Sequence, residues 1–365
     1  MKTQDTDAST LVKAALALLL GLSSGGLTGS VWAAGGGGYI QSNLVADEAG
    51  AAPVVDANLL NPWGILAGPQ GRLIVADNHA GLATFYHPSG RPLQLKVAVP
   101  APGGGSGAPT DLGRNWSEHG FLIGKGKHRR ESILLFATED GTIAGWNPEV
   151  DEDQAVIAVD NSAAGAIYKS MALEDTSHGS RLYAANFGQG TVEMYDTRFH
   201  LVKSFTDASL ASAHFVPFGL RIIGGRLFVT FAFKAAPDDG DETAGVGFGY
   251  VDEFDLAGNL VRRFASEGTL NAPWGLALAP HNFGKFGGAL LVGNFGDGAI
   301  NAYHPTTGAF LGQLADPQGN AIQIGGLWGL AFGPGPEGPS LFFTAGPDDE
   351  NHGLLGVIRP ERHRR

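Results

Sequence analysis

Short apolar runs alternate along the chain with turns rich in Gly, Pro, Asn and Asp, and no long stretch has the 3.6-residue apolar period of a helix. The first clear unit holds four strand-like runs at Gly64–Gly68, Arg72–Asp77, Leu82–His87 and Leu93–Val99. Four strands in a repeat of roughly 40–50 residues are typical of one propeller blade. The pattern therefore predicts a β-propeller.

An aromatic-Gly motif opens each unit. The clear copies are Pro62-Trp63-Gly64-Ile65, Pro217-Phe218-Gly219-Leu220, Pro273-Trp274-Gly275-Leu276 and Leu327-Trp328-Gly329-Leu330. Two weaker copies, Glu118–Phe121 and Tyr168–Met171, complete a series whose anchors are 49 to 56 residues apart. Six units predict an all-β fold, a six-bladed β-propeller with four-stranded blades.

The last unit lacks a fourth strand, because the chain ends soon after Arg359. A strand-like run, Tyr39–Ala46, stands alone before the first unit. We expect it to pair into the last blade as the outer strand, which closes the ring and removes an exposed sheet edge.

Composition narrows the class of protein. The 365 residues are 43% hydrophobic, and the six units use nearly all of them, which predicts one propeller domain over residues 39–359. A Gly linker (residues 35–38) precedes it and a basic tail (residues 360–365) follows it. The net charge of −12 with scattered Lys and Arg argues against a nucleic-acid partner. The absence of Cys excludes disulfides and thiolate metal sites.

Residues 1–34 resemble a secretory signal peptide. Lys2 and Lys13 flank its start, Ala14–Leu22 is an apolar core too short to span a bilayer, and Val31-Trp32-Ala33 offers a cleavage point. A disordered N-terminus is the alternative. The signal predicts a periplasmic or secreted protein with no membrane span in the mature chain, and we expect a monomer.

Strand direction locates a candidate site. In an up-and-down blade, the loop entering the first strand and the loop leaving the second strand lie at the same end of the ring. The first set should therefore ring the mouth of the central channel: Trp63, His119, Lys169, Phe218, Trp274 and Trp328. The second set should surround it: Asp77, Asn78, Glu139, Asp140, Asn186, Asn294, Asp348 and Asp349. Aromatic walls with a few polar groups are typical of a ligand pocket.

Structural explanations stand beside this one. The repeated Trp-Gly pair also suits inner-strand packing, where Gly permits close approach, and Asp or Asn after a strand also caps turns. Two acidic loops occupy matching positions, Asp238-Asp239 and Asp348-Asp349. Oxygen-rich loops of this kind suit a divalent cation such as Ca²⁺, and a solvated acidic loop is the alternative.

The blade pattern Asn61-Pro62-Trp63-Gly64-Ile65 followed by Leu73–Asn78 resembles the NHL-repeat six-bladed propellers. From about Tyr39 to Arg359 the chain is similar to an uncharacterised family of exported bacterial propeller proteins. The resemblance implies an architecture shared by metal-dependent lactonases, lyases and pure binding modules. Asn186, Asn294 and Asp348 resemble the Asn/Asp part of a lactonase site, although a matching Glu near the first blade is not evident.

Two principal functions follow. The favoured one is a binding module that holds a small ligand, glycan or peptide at the channel mouth without covalent chemistry. The alternative is a metal-dependent hydrolase or lyase with a divalent ion over the channel, polarising a carbonyl. A third possibility is an envelope protein that makes contacts through its outer rims.

Overall fold

The structure, a computed structural model, describes residues 37–68, 71–117, 119–174, 180–335 and 338–361. The predicted signal peptide and most of the basic tail lie outside these ranges. Strands dominate the described residues. The helices among them are α1 (Ala208–Ala211) and three 3₁₀ turns at Gly126–His128, Ser162–Ala164 and Gly284–Phe286.

The chain enters through β1 (Tyr39–Ala46) and β2 (Val54–Val55) and then builds the blades in order. Blade 1 consists of β3 (Pro62–Ala67), β4 (Leu73–Asp77), β5 (Leu82–Tyr86) and β6 (Pro92–Ala98). Blade 2 contains β7 (Pro109–Arg114), a side hairpin of β8 (Leu122–Ile123) and β9 (Arg130–Glu131), then β10 (Leu134–Thr138), β11 (Thr142–Trp146) and β12 (Val156–Asp160). Blade 3 consists of β13 (Tyr168–Glu174), β14 (Arg181–Asn186), β15 (Thr191–Tyr195) and β16 (Leu201–Phe205).

Blades 4 to 6 have the same strand order as blades 1 to 3. Blade 4 consists of β17 (Phe215–Ile223), β18 (Arg226–Phe233), β19 (Gly249–Phe254) and β20 (Leu260–Ser266). Blade 5 consists of β21 (Pro273–Leu278), β22 (Leu290–Asn294), β23 (Ile300–Tyr303) and β24 (Phe310–Gln313). Blade 6 consists of β25 (Leu327–Gly335), β26 (Gly338–Ala345) and β27 (Leu354–Pro360). The prediction of an all-β propeller with six four-stranded blades is confirmed.

The ring closes as the sequence predicts. β1 pairs antiparallel with β27, from Tyr39 opposite Pro360 to Ala46 opposite Leu354, and so becomes the fourth strand of blade 6. β2 then adds to β1 in parallel at its outer edge. Because the first strand of the chain covers the last, β27 has no free edge.

Blade 2 departs from the prediction. Its inner strand is β7, which lies nine residues before the position that the weak motif at His119-Gly120 predicts. Pro109 pairs with Thr138 where Pro62 pairs with Asp77 in blade 1. Thr110-Asp111 therefore occupies the Trp-Gly position. The His119 side chain lies 93% exposed between β7 and the β8–β9 hairpin. The prediction that His119 rings the channel mouth is wrong, because the alignment used a loop residue as the strand anchor.

The hydrophobic core is divided by the blades. Six clusters of buried side chains each fill the space between two neighbouring blades, for example Phe85 with Phe136 between blades 1 and 2. A seventh cluster draws on blades 1, 3, 4, 5 and 6 and lies on the central axis. Alternating side chains of each strand serve the two faces, so every blade is buried on both sides.

The motif glycines pack against the next blade. A methyl group added at Gly219 would lie 2.2 Å from the Trp274 carbonyl oxygen, and one at Gly329 would lie 2.5 Å from the Trp63 carbonyl oxygen. The strand register also shifts at these positions, between Pro217 and Leu220 and between Leu327 and Leu330. The motif therefore encodes a β-bulge at which the strand approaches the backbone of the next blade. Only Gly, which has no side chain, permits so close an approach.

Candidate functional site

An aromatic plug fills one end of the central channel. It consists of Trp63, Phe187, Phe218, Trp274, Phe295 and Trp328. Trp63 and Trp328 stack with ring centroids 3.6 Å apart, and Phe295 stacks on the same Trp328 ring at 4.2 Å. Trp274 meets both tryptophans edge-on. The sequence correctly predicts that the motif aromatics gather on the axis, but they are buried beneath the surface and do not line an open mouth.

Lys169 occupies the top of this plug. Its ammonium nitrogen lies 4.9 Å from the Trp63 ring centroid and 5.5 Å from that of Phe187, within range of cation–π attraction. The backbone carbonyl of Lys169 accepts a hydrogen bond from the Trp274 indole at 3.0 Å. The aromatic surface that sequence reasoning assigns to a ligand is therefore already occupied by a lysine of the same chain.

Four carboxylates surround the Lys169 ammonium group, and together with it they form what we call the mouth cluster: Glu139, Lys169, Asp241, Glu242 and Glu350. The Lys169 nitrogen contacts Glu139 Oε1 and Asp241 Oδ1, both at 2.7 Å. Burial alone would lower the pKa of Lys169, but the Glu139, Glu242 and Asp241 carboxylates raise it above its usual range. Lys169 therefore remains charged although its side chain is only 1% exposed.

Glu242 and Glu350 carry excess negative charge at the same place. Burial raises the pKa of Glu242 to about 7; Lys169 offsets part of this rise, and Asp241 and Glu350 add to it. Burial also raises the pKa of Glu350, against the lowering effects of the Asn61 hydrogen bond and of Lys169. Glu242 Oε2 is enclosed and has no hydrogen-bond partner among the described residues. One ammonium group thus faces more carboxylate charge than it neutralises.

A left-handed turn presents Glu350. Asp348, Asp349 and Glu350 have φ angles of 56°, 50° and 65°, a conformation that costs free energy in residues other than Gly. Glu350 Oε2 accepts a hydrogen bond of 2.6 Å from Asn61, whose own φ is 43°. The Asn61 side-chain oxygen in turn accepts from the Trp328 indole. Strained backbone in two loops therefore fixes one carboxylate above the plug.

Asn78 joins this rim beside Glu139, which is also predicted, whereas Asp77, Asn186 and Asn294 do not. Asn78 donates to Glu139 Oε2 at 2.8 Å. Asp77 accepts from Thr84 within blade 1, Asn186 donates to Glu193 within blade 3, and Asn294 donates to the Thr269 carbonyl and to Asp297. Asp77 and Asn294 each keep one buried oxygen without a partner among the described residues. These three side chains support strand ends and turns of their own blades.

The two acidic loops do reach the mouth cluster, but through residues next to the predicted metal ligands and not through those ligands themselves. Asp348, Asp349 and Asp238 are exposed, and Asp239 accepts a hydrogen bond from the Ala236 amide within its own turn. Asp241, Glu242 and Glu350 from the same loops reach the mouth cluster instead. Among the described residues, no group of three or more His, Asp or Glu side chains has the geometry of a metal site. Ca²⁺ binding stays a prediction.

The sequence predicts two members of the mouth cluster and misses the other three. Glu139 follows the second strand of blade 2 and Lys169 stands at the motif position of blade 3, so the repeat places both at the mouth. Asp241, Glu242 and Glu350 do not stand at repeated positions. They belong to loops whose conformations depend on local turns, so the repeat does not predict where they lie. Asn61 was visible in the motif but not assigned a role.

Below the plug, the channel is closed by a second polar group. Asp111 accepts hydrogen bonds from Ser170 Oγ at 2.7 Å and from the Met171 amide at 3.1 Å. Arg221 donates to the carbonyls of Leu276 at 3.2 Å and Leu330 at 2.9 Å. A cavity of about 20 Å³ between them has room for about one water molecule. At this level of the channel, the described side chains leave room for little more than one water molecule.

Comparison with known proteins identifies relatives. The uncharacterized protein R648 of Acanthamoeba polyphaga mimivirus is 32% identical over 324 residues, which cover 86% of this chain and 78% of R648. The chain belongs to the family of R648. The uncharacterized protein L690 of the same virus is 29% identical over 325 residues, covering 86% of this chain and 84% of L690. The predicted bacterial and exported character of the family stays a prediction, because these relatives are viral.

Solved structures support the fold of this family. A soluble aldose sugar dehydrogenase from Escherichia coli aligns with a TM-score of 0.54 and 12% identity, covering 88% of this chain and all of that one. A streptogramin B lyase aligns with a TM-score of 0.52 and 12% identity, covering 88% of this chain and 97% of the lyase. At such identities the likeness shows the propeller architecture alone.

No protein-family model matches the chain. The NHL-like character of the repeat therefore stays a prediction. Among the residues that the structure describes, no helix has the length and hydropathy to cross a membrane.

Proposed function

We propose that this propeller is a binding module that takes a cationic ligand at the mouth cluster. The supporting observation is convergence: loops or strand ends of different blades supply each group. Glu139 follows β10, Lys169 lies in β13, Asp241 and Glu242 lie between β18 and β19, and Glu350 lies between β26 and β27. Converging polar groups from separate elements are typical of binding sites.

The charge of the mouth cluster selects the ligand. One ammonium group faces four carboxylates, and burial with mutual repulsion raises the pKa values of Glu242 and Glu350. A bound cation would relieve this repulsion and lower both pKa values, so binding should release protons and tighten as pH rises through about 7. A small organic amine or a basic side chain of a peptide meets these requirements better than a neutral glycan.

Titration calorimetry with the full chain tests the proposal, using spermidine as the probe. We expect saturable binding that is weakened roughly tenfold by Glu350→Gln, which corresponds to about 1.4 kcal/mol, the size of one charge-assisted contact. Glu152→Gln is the matched control, because Glu152 is exposed and lies outside the cluster. Absence of spermidine binding, or equal binding by both variants, contradicts the proposal.

A parallel titration with Ca²⁺ addresses the enzyme alternative. One Ca²⁺ retained per chain and lost in Glu350→Gln would favour the metal-dependent hydrolase or lyase over the binding module. Spermidine binding that persists in EDTA supports the module.

We also propose that the protein is exported, and the predicted signal peptide over residues 1–34 supports this. The test is the mass of the chain recovered from the periplasm or medium of an expressing bacterium. We expect a product that lacks these residues, and a full-length chain confined to the cytoplasm contradicts export.

A further inference from the structure

A groove of about 600 Å³ lies between blades 4 and 5, at the end of the ring opposite the mouth cluster. It begins at the β17–β18 turn, at Ile223 and Gly224, and reaches the turn after β23, at Pro305 and Thr306. Volumes of roughly 300–1,000 Å³ are typical of small-molecule sites. Its size distinguishes it from the filled central channel.

One part of the groove is apolar. Phe228 and Leu290 are buried in the core between blades 4 and 5 and form its deep side. Ile223 packs at the edge of the same core. Leu278, the last residue of β21, is 44% exposed although it belongs to the innermost strand of blade 5. The groove therefore offers an apolar surface that is continuous with the core and open to solvent.

The other part carries two arginines held by one glutamate. Arg262 Nε lies 2.7 Å from Glu253 Oε2, and Arg226 Nε lies 3.5 Å from Glu253 Oε1. Glu253 lies opposite Arg262 in the β19–β20 register, so the sheet itself fixes this pair. The terminal guanidinium nitrogens of both arginines donate no hydrogen bond to any described residue. Two cations thus share one carboxylate and keep donors free.

We propose that this groove binds a small amphipathic carboxylate, with its anionic group on Arg226 and Arg262 and its apolar body along Ile223 and Leu278. Guanidinium groups match the planar, two-oxygen geometry of a carboxylate. Glu253 orients both arginines before the ligand arrives, which reduces the entropy lost on binding. The net positive charge beside an apolar wall is the reverse of the acidic mouth cluster, so the two sites select different ligands.

Titration calorimetry of the full chain with three probes tests both parts of the groove. Octanoate carries the charge and the apolar body, octan-1-ol lacks the charge, and acetate lacks the body. We expect octanoate to bind at one site per chain, and each of the other probes to bind at least tenfold more weakly. No saturable octanoate binding overturns the proposal, as does equal binding of octan-1-ol.

Two sets of variants locate the binding. Arg226→Gln with Arg262→Gln should weaken octanoate binding at least tenfold, whereas the control pair Arg91→Gln with Arg198→Gln removes the same charge from exposed positions elsewhere and should leave it unchanged. Leu278→Ser should weaken binding several-fold without unfolding the chain, because Leu278 is already partly exposed; Leu201→Ser is its control on the exposed outer strand of blade 3. Unchanged octanoate affinity in the groove variants overturns the proposal, and Glu350→Gln should not affect it.

Discussion

At the scale of single residues, Lys169 determines what the mouth cluster can bind. Its ammonium group lies over Trp63 and Phe187 and contacts Glu139 and Asp241, so its position is fixed from below and from the sides. A flexible side chain that is held so firmly acts as a permanent positive charge. The carboxylates of the mouth cluster surround this charge, and those that Lys169 does not neutralise are available to bind a ligand.

Glu242 makes the stability of the protein depend on pH. Folding raises the pKa of this group from 4.5 to about 7, so the folded state favours its protonated form. Its contribution to stability is fully present below pH 4.5 and is lost as pH rises through about 7. Glu242→Gln should therefore be more stable than the parent chain at pH 8, by up to about 3 kcal/mol, because a tenfold change in proton affinity corresponds to about 1.4 kcal/mol.

Urea unfolding at pH 4.5, 6 and 8 measures this difference. Asp252, whose pKa burial also raises to about 7, is present in both proteins, so its effect cancels. The exposed Glu152→Gln serves as control and should match the parent at every pH. If Glu242→Gln and the parent lose stability equally between pH 4.5 and 8, the assigned role of Glu242 is wrong.

At the scale of strands, the sequence predicted the elements that have a local signal. The bounds of β1 agree with the prediction residue for residue, and those of β4, β5 and β6 agree within one residue at each end, because alternating apolar positions and flanking turns mark both ends. β7 was missed because it carries Thr110-Asp111 in place of the aromatic-Gly pair. The partners that stabilise the buried Asp111 are Ser170 and Arg221. They lie on other blades, so the sequence around β7 gives no indication of them.

The same reasoning explains the candidate site. Convergence of the motif aromatics follows from the repeat, since equivalent positions of a ring must meet at its axis. Their burial beneath Lys169 depends on the loops at Asp241 and Glu350, whose conformations no periodicity specifies.

β1 should contribute more to stability than its position at the start of the chain suggests. Val45 is buried between blades 6 and 1, Ala46 is also buried, and the Tyr39 hydroxyl donates to the Phe283 carbonyl in blade 5. A chain that begins at Asp47 loses these contacts and exposes the edge of β27. Because a buried Val alone is worth roughly 1.5–3 kcal/mol, we expect a loss of several kcal/mol and association through the free edge.

Thermal melting and light scattering measure both effects. A chain that begins at Gly37 is the matched control, because it keeps all of β1. A chain starting at Asp47 that melts with the control and stays monomeric would show that closure of the ring does not need β1.

At the scale of the whole molecule, the propeller is held at its axis by more than hydrophobic packing. Asp111 connects blade 2 to the Ser170 and Met171 groups of blade 3, and Arg221 connects blade 4 to carbonyls of blades 5 and 6. The two side chains attract each other across the channel. Together they join five blades through polar contacts that water cannot easily replace.

Arg221→Met tests this axial connection. It removes the Arg221 donor from the carbonyls of Leu276 and Leu330 and leaves Asp111 without its opposite charge. We expect a loss of about 2–3 kcal/mol, less than the roughly 3–5 kcal/mol of a fully buried pair, because Arg221 is only partly buried. Adding Asp111→Asn removes the uncompensated charge and should restore about 1 kcal/mol, a coupling that a double-mutant cycle measures by urea unfolding. The exposed Arg198→Met should have no effect. If the two channel substitutions are simply additive, Asp111 and Arg221 do not act as a pair, and the blades are held together by their separate cores.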